Sequence, residues 1–118
     1  MPTPPNPLSQ VEDWARRARQ AQAAAAHAYA RLLDLAEDVN SGQAARIAQF
    51  IASTYDGAAF PLDPFSLRGL DVGISDDMLL CLDALRWGKA ELHELVPDGQ
   101  HRVQALLQIW GVTGPEDE

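Results

Sequence analysis

Apolar residues recur along the first third of the chain at alternating spacings of four and three: Trp14, Ala18, Ala21, Ala25, Ala28, Leu32, Leu35, Val39. That is the heptad pattern of a helix with one apolar seam, and the middle of the seam is alanine throughout. Ser9 to Val39 contains neither glycine nor proline, so the pattern predicts one helix about 45 Å long. Ser9-Gln10-Val11-Glu12 reads as its capping box. Shorter stripes follow at helical spacing. Ala44, Ile47, Ala48, Ile51 and Tyr55, broadened by Phe50, predict helix 2 over Gln43–Tyr55, with Asn40 and Gln43 spaced for a second capping box. Ile74, Met78, Cys81, Leu82 and Leu85, with Leu79 beside them, predict helix 3 after Asp71 or Ser75, closed by Gly88. Val103, Leu106, Leu107 and Trp110 predict helix 4 over Gly99–Trp110, capped by Asp98 and stopped by Gly111.

Between helices 2 and 3 the chain is irregular but apolar. Phe60, Leu62, Phe65 and Leu67 stand among Pro61 and Pro64, so the segment is expected to lie on the core as a packed lid. Asp63-Pro64 is placed to cap a single helical turn, and residues 90–96 predict another short turn. Strand alternation is absent. The expected fold is all-α: a small four-helix bundle with a long Ala-rich N-terminal helix and an irregular apolar loop between helices 2 and 3. Residues 1–8, with four prolines, are expected to form a flexible leader, residues 9–111 a single helical domain, and residues 112–118 a disordered acidic tail.

Charge changes this picture by dividing the chain. Of the net −8, residues 1–33 carry four Arg against two acids, while residues 34–118 carry five Lys or Arg against fifteen acids. An acidic chain repels phosphate, which disfavours direct nucleic-acid binding and adhesion to anionic membranes. No apolar run reaches the length of a membrane span. Within helix 1 the charges oppose the helix dipole. Arg16, Arg17 and Arg19 lie near its positive end, and Asp34, Glu37 and Asp38 near its negative end. Glu12–Arg16 and Asp13–Arg17 are spaced to relieve the first conflict.

From Gly42 onward the chain resembles a family of small bacterial helical proteins of unknown function, carried on plasmids and integrated mobile elements. The resemblance rests on Gly42-Gln43, Arg46-Ile47-Ala48, Phe50-Ile51, Leu70-Asp71, Ile74, Asp76-Asp77-Met78-Leu79 and Trp110, and covers roughly residues 42–110. The chain departs from it at Ser53-Thr54-Tyr55 and at Arg68, where the family tends to carry tryptophan. The resemblance implies a helical fold and a mobile-element setting, without a known activity.

Candidate chemistry is sparse. The single cysteine, Cys81, falls on the apolar stripe of helix 3, where a thiol is a small core residue, and it fits a reducing, cytoplasmic compartment. His93, Glu94 and His101 match no metal-ligand spacing, and the glycines form no phosphate-binding loop. The chain is therefore expected to be a non-enzymatic protein-interaction module without a cofactor. An alanine seam buries little, at about 0.8 kcal/mol per methyl-sized group, so the N-terminal half of helix 1 is expected to project and engage a protein partner or a second copy. The candidate contacts are Trp14, Arg16, Arg17, Ala18, Arg19, Ala21 and Ala25. The alternative is an inhibitor from a mobile element whose acidic surface, with Asp76, Asp77, Asp83, Glu91, Glu94 and Asp98, blocks a nucleic-acid-handling host complex such as a bacterial immune complex.

Overall fold

Pro7 opens the first helix, α1 (Pro7–Glu37), in the computed structural model, which describes residues 7–111. A proline suits the first turn because its φ is already helical and its missing N–H has no partner there. Ser9 therefore stands inside the helix, and the capping box expected from it does not mark the start. The expectations for residues 1–6 and for the tail 112–118 lie outside the described residues, while Pro7 and Leu8 join α1 rather than a leader.

The alanine seam is core. Ala18, Ala21, Ala25, Ala28 and Leu32 are buried, as a heptad stripe should be. The stripe then leaves the heptad: Leu33 and Ala36 are buried, whereas Leu35 and Val39 are exposed. A helix of 3.6 residues per turn rotates about 20° per heptad away from a 3.5-residue repeat, so the core-facing line passes to Ala36, three turns after Ala25.

Against this seam lies α3 (Val72–Trp87), which makes the most extensive contact with α1. The two run antiparallel: Arg31 of α1 pairs with Asp77 early in α3 at 2.8 Å, and the Arg17 guanidinium sits 5.3 Å from the centre of the Trp87 ring at its end. Met78, Cys81 and Ala84 supply the buried face of α3. Leu85, expected on that face, and Leu79, expected beside it, are both exposed. Because α3 begins at Val72, Asp76 and Asp77 fall beyond its first turn. Gly88 closes it in the left-handed conformation, φ 65°, which only glycine adopts without strain.

The second helix, α2 (Ala44–Tyr55), returns along the C-terminal half of α1, and its Thr54 hydroxyl meets the Tyr29 hydroxyl at 3.5 Å. Its expected capping box is not formed. Instead the Gln43 side chain accepts from the Asp71 amide at 2.8 Å, tying the start of α2 to the start of α3. The intervening loop contains one 3₁₀ turn, Pro64–Leu67, capped by Asp63, which accepts from the Phe65 amide at 3.0 Å. Leu62 and Leu67 pack on the core, but Phe65 is exposed, so the lid covers less than its composition suggested.

A second 3₁₀ turn, Leu92–Leu95, leads into α4 (Gly99–Ile109). Glu91 and Glu94 close that turn by reciprocal capping bonds. Asp98 precedes α4 with φ 58° and makes no side-chain cap, contrary to expectation. Its carbonyl accepts the Arg102 amide instead. Val103 and Leu106 face the core. The molecule is thus an all-α bundle of four helices with a long alanine-rich first member, and no strand occurs among the described residues.

Candidate functional site

The N-terminal end of α1 continues past its own support. The last element beside it is the end of α3, where Trp87 packs under Arg17. Beyond Ala18, toward the N-terminus, the apolar stripe runs on as Trp14, Val11 and Leu8, which are 50%, 56% and 74% exposed. From Leu8 to Arg17 the projecting arm is nearly three turns, about 14 Å of helix. The heptad extended backward from Trp14 reaches Val11, which is how the sequence signals it. Leu8 was hidden by the prolines around it.

Among the expected partner contacts, Ala18, Ala21 and Ala25 are 2%, 7% and 0% exposed and pack inside the chain's own bundle. They are not available to a partner, because α3 supplies the surface their small side chains were shaped for. Trp14, Arg16, Arg17 and Arg19 remain on the arm. Arg16 pairs with Asp13 one turn back rather than with Glu12. Arg17 turns to the Trp87 ring, which Arg86 also approaches at 4.8 Å. Arg19 is exposed and has no ion pair among the described residues.

The acidic candidates are dispersed. Asp77 is held by Arg31, with Nε and a terminal nitrogen donating at 3.0 and 2.8 Å. Asp83 pairs with Arg86 at 2.7 Å. Glu91 and Glu94 cap a 3₁₀ turn, and Asp98 sits at the start of α4. Asp76 lies at the most apolar concave surface and has no ion pair among the described residues. That surface is an open groove of about 690 Å³ between the last turns of α1 and the first turns of α3. Leu35, Gly73 and Ile74 give it an apolar lining, and the Asp71 and Asp76 carboxylates stand at it without a hydrogen bond or ion pair among the described residues. Sequence reasoning missed the groove because it is made by two segments far apart in the chain.

Burial pushes the Cys81 thiol up to about 12, with Asp77 adding to the shift, so it is a protonated core group at neutral pH. Among the described residues no three His, Cys, Asp or Glu side chains gather in a way that would hold a metal ion, and no helix is long and apolar enough to cross a membrane.

These features define a small all-α protein with an exposed apolar arm and an open groove. The chain belongs to the family of unknown function DUF7673, whose model matches residues 26–111. The match begins inside α1, so the arm lies N-terminal to it. No curated protein and no solved structure matches the chain.

Proposed function

We propose that the protein is a non-enzymatic, cytoplasmic docking module that engages a protein through the projecting end of α1. The observation that carries this reading is the phase of the stripe: Leu8, Val11 and Trp14 prolong the core face of α1 beyond the last element that covers it. An apolar helical face flanked by arginines suits a helix-in-groove contact, with the aromatic residue as anchor. The single buried cysteine is in keeping with a reducing cytoplasm.

A mobile-element inhibitor acting through an acidic surface has less support. Four of its six carboxylates, Asp77, Asp83, Glu91 and Glu94, are engaged by the chain's own arginines and caps, which leaves no continuous row to imitate a phosphate backbone.

The test is a photo-crosslinking side chain placed at Val11 and, as control, at the exposed Gln49 of α2, in the protein's own host cell. Adducts specific to position 11 are expected, and their mass separates a second copy of the chain from another protein. A chain that yields no adduct at position 11 would overturn the reading.

A further inference from the structure

The arm and the acidic groove complement each other, and they cannot meet within one molecule. The arm offers Trp14 and Val11 with Arg19 at their flank; the groove offers Leu35 and Ile74 beside Asp71 and Asp76. Among the described residues, Arg19 on the arm and the Asp71 and Asp76 carboxylates at the groove have no ion pair. Val11 and Leu35 lie on the same continuous helix, about 36 Å apart at 1.5 Å per residue. Internal pairing is therefore closed to them, although it is open between copies.

Resting on the reading of the arm as a docking element, we propose that its occupant is a second copy of this chain: the arm of one copy seats in the groove of the next. The apolar side chains of the arm cover Leu35 and Ile74, and Arg19 approaches Asp71 and Asp76. The groove, about 690 Å³ and open to solvent, leaves room for apolar side chains of the arm. Since every copy carries both halves, the contact either closes as a reciprocal pair or extends head to tail.

Sedimentation of the full chain over a wide concentration range tests this. The wild-type chain is expected to exceed monomer mass as concentration rises, and to dissociate as salt rises. Arg19→Glu reverses the arm, and Asp71→Lys with Asp76→Lys reverses the groove. Each variant is expected to weaken self-association roughly tenfold or more while keeping its helicity. An equimolar mixture of the two is expected to associate again, because each arm then meets a groove of opposite charge. A wild-type chain that stays monomeric, variants that associate as the wild type does, or a mixture that stays apart after both variants have lost association would each overturn the pairing. A monomeric chain that still yields a position-11 adduct to a different protein would leave the docking role standing and remove only the self-pairing.

Discussion

Arg102 of α4 grips Glu37 at the end of α1 with two donors, Nε at 3.1 Å and a terminal nitrogen at 2.6 Å, and the same terminal nitrogen reaches Asp34 at 2.9 Å. Acids at the negative end of a helix are unfavourable in isolation. Here they recruit a cation from another helix, and the Arg102 guanidinium is held charged by Glu37 first and Asp34 second. Beside it the Trp110 indole donates to the Ala36 carbonyl at 2.8 Å, satisfying one of the acceptors that a helix end leaves open. The charge pattern that looked wrong for α1 alone is right for α1 with α4.

Replacing Arg102 by Ala should cost about 1–2 kcal/mol, since the contact is charge-assisted and two-pronged but partly open to water. Urea unfolding should show a lower midpoint with an unchanged slope. The loss should shrink at high salt.

Stability should fall in alkali. The Cys81 thiol is raised to about 12 and the Tyr29 hydroxyl to about 12, both mainly by burial. The folded chain thus holds protons that the unfolded chain releases near 9 and 10. The sign follows: their contribution is intact below those values and declines as pH rises toward 12, by up to about 1.4 kcal/mol per pH unit for each group. Thermal unfolding from neutral to alkaline pH measures this. Cys81→Ala should remove the part of the decline that begins near pH 9 and leave the part due to Tyr29.

Gly99→Ala sets two effects against each other. Alanine favours a helix by about 1 kcal/mol over glycine, but a Cβ here would lie 1.9 Å from the His93 carbonyl oxygen and 2.7 Å from Val96 Cγ2. The backbone contact cannot yield locally, so the clash should win, with a net loss of about 2–4 kcal/mol. Denaturant unfolding decides the sign.

Ala25→Leu should destabilise by about 1–3 kcal/mol, since the site is fully buried and the isopropyl group added to the methyl must push α1 from its neighbours. By contrast Val11→Asp and Trp14→Ala, on the arm, should each change stability by no more than about 0.5 kcal/mol. The pair of results separates the seam that folds the chain from the stripe that remains open.

Much of the fold was legible along the chain because its signals are local. Asp71 before α3, Gly88 after it and Asp63-Pro64 at the 3₁₀ turn occur where expected. Elements that depend on a distant partner were not. The heptad could not reveal that Leu35 yields to Ala36, since that depends on the rotation of a straight helix against neighbours. Nor could spacing reveal that Gln43 would serve the Asp71 amide rather than its own helix. The candidate site divided along the same line. Trp14 announced the arm, but the burial of Ala18, Ala21 and Ala25 depended on α3, more than fifty residues later.

That separation bears on synthesis. A chain emerging from the ribosome presents α1 long before α3 exists to cover it. Were the middle of the seam leucine, a nascent chain would carry a broad greasy stripe in search of any neighbour. Ala21, Ala25 and Ala28 offer methyl groups only, which are a poor adhesive while exposed and a close fit once α3 arrives. The small side chains that permit tight packing in the finished molecule also protect the unfinished one from premature association.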